Sequence, residues 1–393
     1  MNLVIVKLAK TILSLLNGQN DKFLVLEIFE NFARAAEIKA NFSKKQIKVM
    51  SVLSEDSLPK LLKQLPNPKR YKILTILDSH LATTVYSSMV LVRENYKELI
   101  DEPELDNLIS QAIWKYFDRQ RHKIATKMGV TDLDIVLTDV KIRGMRLDGH
   151  KVVNPIGFKS KTVEVQFSQT FLLRGFINKI KNSLPLDQMV FVSEHGPAWS
   201  SVITKSHKTD NFLLAGLFQD KTLLFLADGG QHSYWNKFNW GELSLHLSLA
   251  GDLSLDTETS AKIISKYVAG DASETFKRRL EGLLSKELDV LARGLDLAAK
   301  KTDTKTIYVH TFFDLPNLFN GNFRNRFERA VELKPLTVDL IAQNFDFDII
   351  FKNDGDSKYA FGLIAGLLEW YLSPQDDKLS QLAKRRVRWL SPI

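Results

Sequence analysis

The chain contains no cysteine in 393 residues. Disulfides and thiolate metal sites are therefore excluded, and the composition fits a reducing cytoplasm. No window supplies the ~18 uninterrupted apolar residues that a membrane-spanning helix needs. Histidines are few and scattered, His80, His122, His150, His195, His207 and His246 among them, and no metal-binding pair is present. No basic stripe interleaved with aromatics runs through the chain, so nucleic acid is not an expected partner.

What is there describes a globular protein. Hydrophobic residues make up 44% and charged residues 25%, enough for two or three domains. The net charge of +8 is modest for this length, so it matters only where it clusters. It clusters in the C-terminal tail. At the other end, Lys7, Lys10, Ser14 and Asn17 recur at helical spacing opposite Leu8, Ile12, Leu15 and Leu16. Asn17-Gly18 supplies a stop, and no positive charge precedes the apolar run. Residues 1–20 therefore read as an amphipathic helix, not a signal peptide or a span.

Residues 22–39 read as two strands around Glu30-Asn31, with a third at 46–53, a short helix at 58–65 and a fourth strand at 71–77. A helix is expected over 104–129, with Leu105, Leu108, Ile109, Ala112, Ile113 and Tyr116 on one face. Strands at 89–93, 134–143 and 162–167 accompany it, and 171–184 reads as another helix. Residues 83–184 thus look like a small α+β module inserted into a first α/β domain made of 21–82 and 185–220. The second domain is expected over 221–373. It opens on an apolar run ending in Asp228-Gly229-Gly230 and closes on the nearly all-apolar helix 359–372. An acid at a strand end beside glycines is what a phosphate–metal site needs, although it equally describes a hairpin turn.

The insert carries Asp148-Gly149, then four residues, then Asn154-Pro155-Ile156-Gly157. With Glu194-His195-Gly196-Pro197 before a helix, this segment resembles the bacterial cell-division family of FtsA. The same group includes PilM, and its fold is the actin-like (ribonuclease H-like) two-domain fold with an inserted SHS2-type subdomain. The resemblance implies ATP and Mg²⁺ held by two phosphate loops and a glycine-rich adenosine loop. It would place Glu27 in the first loop and Asp228, Gly229 and Gly230 in the second, facing each other across a cleft.

The departures from that pattern shape the expectation. Phe29 stands where a glycine must let the backbone approach phosphate, and Glu30 adds a negative charge beside it. Thr311-Phe312-Phe313 replaces the glycine run of the adenosine loop. Of the acids, only Glu27, Asp78 and Asp228 are placed near the cleft, too few for a two-metal nuclease. The expected function is therefore a non-catalytic scaffold or adaptor without a cofactor, a pseudo-ATPase of the division machinery. A PilM-like pilus or secretion adaptor is the alternative, and an active ATPase the reading from a different class. Protein partners would dock on the inserted subdomain, with self-association as a further possibility. In the tail 374–393, Lys384, Arg385, Arg386, Arg388 and Trp389 form a basic amphipathic stretch. Such a stretch either lies on an anionic membrane at its cytoplasmic face or docks on the protein's own surface.

Overall fold

The computed structural model describes residues 20–185, 188–204, 211–229, 231–315 and 321–373, together with 379, 381 and 383. The helix read over 1–20 (all but Asn20), Gly230, and Lys384, Arg385, Arg386, Arg388 and Trp389 lie outside the described residues. The chain divides into two compact units, 1–202 with 345–356 and 362–393, and 203–344 with 357–361.

The first unit begins with an antiparallel meander, β1 (Asp21–Ile28), β2 (Ala33–Asn41) and β3 (Gln46–Glu55). Helix α1 (Leu58–Gln64) follows, with Pro59 in its first turn, where a missing N–H costs nothing. It leads to β4 (Lys72–Leu77), parallel to β1.

The inserted module comes next: β5 (Ala82–Val92), α2 (Glu102–Met128), β6 (Ile135–Leu147), β7 (His150–Val152) and β8 (Thr162–Leu173). Its strands form a separate antiparallel sheet in the order β5-β8-β6-β7. The expected face of α2, from Leu105 to Tyr116, packs with Met89, Leu91, Val163, Val165 and Phe167 into one apolar cluster. Asp101 caps the helix by accepting from the Glu104 N–H at 2.8 Å.

The helix read over 171–184 starts later. Phe171 and Leu172 are strand residues paired with Thr83 and Ala82, and only Arg174–Ile180 (α3) is helical. Phe176, Ile177, Ile180 and Leu184 pack with β1, β2 and α1, so the chain has rejoined the first core by Leu173. Then come β9 (Met189–Glu194), parallel to β4, and α4 (His195–Thr204).

In the second unit β10 (Asn211–Leu217), β11 (Thr222–Asp228) and β12 (Gln231–Phe238) form another antiparallel meander. Helices α5 (Glu242–Leu253), α6 (Thr257–Ala269) and α7 (Glu274–Thr302) precede β13 (Thr306–Thr311), which is parallel to β10. A short α8 (Gly321–Arg324) leads to β14 (Glu332–Pro335) and α9 (Val338–Phe345). The chain then contributes β15 (Asp348–Phe351) and α10 (Phe361–Leu372).

The two large sheets share one plan. The first runs β15-β3-β2-β1-β4-β9 and the second β12-β11-β10-β13-β14. Without the edge strand β15, each is a meander whose first strand also pairs, in parallel, with the fourth. The sequence boundary at 220/221 therefore cuts the second sheet at its centre. β10 was not anticipated because Phe212-Leu213-Leu214-Ala215-Gly216-Leu217 is a continuous apolar run, which carries no periodicity. At the far end, β15 pairs with β3, and α10 from Gly362 onward belongs to the first unit rather than the second. Two glycines explain its close seating. A Cβ on Gly366 would come within 2.5 Å of Ile76 on β4, and one on Gly362 within 1.9 Å of the Glu27 carboxylate.

Candidate functional site

The β1–β2 turn, Phe29 to Phe32, is where the first phosphate loop was expected. It is closed by the Phe29 N–H donating to the Phe32 carbonyl at 2.9 Å. The Phe29 ring is buried, stacked on Phe32 at 4.2 Å and on His195 at 4.3 Å between ring centres. The turn is thus filled with aromatic carbon where a phosphate cradle would present bare backbone. Glu30 is not left repelling its surroundings, because its carboxylate meets His80 Nε2 at 3.4 Å.

Glu27 lies one step inside the strand and has no solvent exposure. Its Oε2 accepts from Arg34 Nη2 at 2.7 Å, and its Oε1 is 3.3 Å from His195 Nε2. A fixed guanidinium already supplies the positive charge that Mg²⁺ would bring. Arg34 and His195 were not identified from sequence. The first was legible: a hairpin centred on Glu30-Asn31 places Glu27 opposite Arg34, which is the observed register.

Two further acids close the strand ends of this unit. Asp78 is buried after β4, and its backbone N–H donates to the Ile28 carbonyl at 2.9 Å. Glu194 ends β9, accepting from Ser79 Oγ and from the Thr84 N–H, both at 2.7 Å. Burial pushes the Glu194 carboxyl above its ordinary value, with Ser79 and Thr84 only partly offsetting it. Among the described residues no group of three or more such side chains is placed to hold a metal ion.

In the second unit the equivalent of the β1–β2 turn is the β10–β11 turn, Phe218 to Lys221. It has the same closure, the Phe218 N–H donating to the Lys221 carbonyl at 2.9 Å. Asp228 and Gly229 are not part of it. The register pairs Leu217 with Thr222 at this turn and Asn211 with Asp228 at the other end of the hairpin. At ~3.4 Å per residue, Asp228 stands about 20 Å away, exposed in the β11–β12 turn. Asp228 and Gly229 therefore lie away from the turn equivalent to β1–β2, where the expected second phosphate loop would fall. The expectation rested on taking β11 as the first strand of the domain, and β10 precedes it.

The true turn is also engaged. The N–H groups of Glu242 and Leu243, which open α5, donate to the carbonyls of Phe218 and Gln219 at 3.1 and 2.8 Å. Gly241 permits this approach, since a Cβ there would lie 2.3 Å from the Phe218 oxygen. Donors that make a helix N-terminus an anion site are here spent on the protein's own carbonyls. Phe218 stacks on Phe312 at 4.6 Å, His310 packs edge-on against Phe312 at 4.4 Å, and Phe313 is buried near Trp240. Thr311-Phe312-Phe313 thus continues β13 into an aromatic cluster. Glu27 and Asp228 belong to different units.

Of the tail, Leu379 packs against the apolar cluster of the inserted module and Ala383 is fully buried in it. No described helix is long and apolar enough to cross a membrane.

No protein-family model matches the sequence, and no curated protein matches it. Among solved structures, a chain of the PilM–PilN type IV pilus biogenesis complex aligns at 13% identity, over 93% of this chain and 98% of its own, with a TM-score of 0.53. A protein of unknown function with an actin-like ATPase fold from Bacteroides thetaiotaomicron aligns at 8% identity, over 90% and 97%, with a TM-score of 0.41. The cytoplasmic domain of EpsL, an inner-membrane component of the type II secretion system of Vibrio cholerae, does so at 8%, over 82% and 94%, with a TM-score of 0.37. Both are looser likenesses. The duplicated sheet plan, with its inserted antiparallel module, is that of an actin-like α/β protein.

Proposed function

We propose that this chain is a non-catalytic actin-like adaptor, working through protein partners at the cytoplasmic face of a bacterial membrane. The assembly it serves is of the pilus or secretion type. The observation that carries the non-catalytic part is the state of the two equivalent turns. One is packed with Phe29, Phe32 and His195 over a Glu27–Arg34 ion pair, and the other is capped by the first amides of α5. In the first, aromatic rings cover the turn where a phosphate would approach, and in the second the helix-start amides that could meet an anion are given to carbonyls, whereas phosphoryl transfer depends on an open, positioned phosphate cradle. The likeness to a chain of the PilM–PilN complex supports a pilus-type assembly as the setting.

The inserted module offers the partner surface. β5 is an edge strand of its sheet, with Val90 57% and Val92 69% exposed, and Leu99 and Phe158 are also exposed. Unpaired edges and exposed apolar side chains of this kind favour association with another chain.

A scaffold of cell division is the second reading, favoured by the segment from Asp148 to Gly157. In the fold that segment has a structural task. Asp148 accepts from the N–H groups of Lys161 and Thr162 at 3.0 and 2.7 Å, and Asn154 from the Ile156 N–H at 3.1 Å. Gly157 and Phe158 exchange backbone hydrogen bonds with Ile100, both at 2.9 Å. Deletion of the gene separates the readings. The adaptor reading expects lost pili or secretion with cells of normal length, whereas filamentous cells would favour division. Saturable ATP turnover by the full chain would overturn both.

A further inference from the structure

Beside the β1–β2 turn, the first unit holds a cavity of about 750 Å³. It is bounded by α1, α3, the β1–β2 turn and the residues after β4. Helix α1 contributes Leu58 and Leu62, one turn apart, with Lys63 beside them, and α3 contributes Phe176 and, one turn on, Lys179. Ile28, Phe29 and Leu81 complete an apolar wall. Leu58, Leu62 and Leu81 pack against the first core yet are only half-buried. Its volume falls within the roughly 300–1,000 Å³ range of small-molecule sites.

The charges at the rim decide what fits. Of the two carboxylates, Asp56 is paired with Lys60 at 2.6 Å, and Glu30 lies 3.4 Å from His80 Nε2, a counter-ion only when the ring is protonated. Lys63 and Lys179 are exposed and enter no ion pair among the described residues. Two lysines against at most one uncompensated carboxylate leave the rim net positive, above an apolar wall.

We propose that this cavity binds a small amphipathic anion, with an apolar chain against Leu58, Leu62, Leu81 and Phe176 and a carboxylate or phosphate head between Lys63 and Lys179. The site is independent of the adaptor reading. Phe29 of the β1–β2 turn is one of its lining residues.

The test is a calorimetric titration of the full chain, at low salt and below micelle concentrations, with laurate, dodecyl phosphate, dodecanol and dodecyltrimethylammonium. At least one of the two anions is expected to bind at micromolar concentration, and the tighter one identifies the head group. The neutral and cationic chains should bind at least tenfold more weakly. Lys63→Glu combined with Lys179→Glu changes only exposed side chains and should weaken the anion at least tenfold. Leu62→Trp, which places a bulky ring in the apolar wall and keeps both lysines, should do the same. The inference is overturned if neither anion binds, in which case the cavity is left for a protein segment. It is equally overturned if all four amphiphiles bind alike, or if both sets of variants bind as the parent does.

Discussion

Replacing Arg34 by methionine would strand Glu27. The carboxylate has no exposed surface and the guanidinium side chain only 6%, at a separation of 2.7 Å. Removing one partner of such a pair costs about 3–5 kcal/mol, because the remaining charge is buried without its counter-ion. Methionine keeps the length of the side chain, so the loss is one of charge rather than volume. The double variant Glu27→Met with Arg34→Met should recover all of this loss or more, since an apolar pair of similar size is often neutral or more stable. Two compact units need not unfold in one step, so a single melting temperature is a poor readout. Hydrogen exchange of the β1 and β2 amides is the appropriate assay. Arg34→Met should raise their opening equilibrium more than a hundredfold, taking about 1.4 kcal/mol per factor of ten. Unchanged protection in the single variant, or a double variant as damaged as the single, would refute the reading of Glu27 as a structural counter-ion.

Other consequences are as direct. Because burial raises the Glu194 carboxyl, the native state keeps a proton that the unfolded chain releases first. That contribution to stability is complete below the ordinary carboxyl range and is lost as pH rises through the raised value. Stability relative to Glu194→Gln should therefore fall from acid toward neutral pH, and a constant difference would contradict it. Asp148→Ala removes acceptors for Lys161 and Thr162 and should deprotect those two amides while leaving α2 unchanged; equal exchange in variant and parent would speak against the role given to Asp148. Liposome sedimentation with anionic vesicles tests the tail. Loss of binding when residues 378–393 are removed is expected for an anchor, and undiminished binding would leave the tail to the docking that Leu379 and Ala383 make on the inserted module.

Much of the fold was legible because its elements carry strong periodicity or clear turn signals. The stripe on α2 and the hairpin around Glu30-Asn31 are cases in point. β10 was not, since a strand at the centre of a sheet is apolar on both faces and resembles a buried helix segment. That omission moved the expected second phosphate loop to the wrong end of β11. The bulk of Phe29, Phe312 and Phe313 was readable from residue type alone, but not the rings they pack on. The ion pair beneath it needed the hairpin register, and the capping of the Phe218 turn by α5 needed the third dimension. Glu242 and Leu243 give no sequence signal that their amides meet Phe218 and Gln219.

The central claim is that two obstructed turns leave this actin-like chain without a nucleotide site. Isothermal titration of the full chain with Mg-ATP tests it most directly. No saturable heat at micromolar nucleotide is the predicted result, and a micromolar dissociation constant would contradict it.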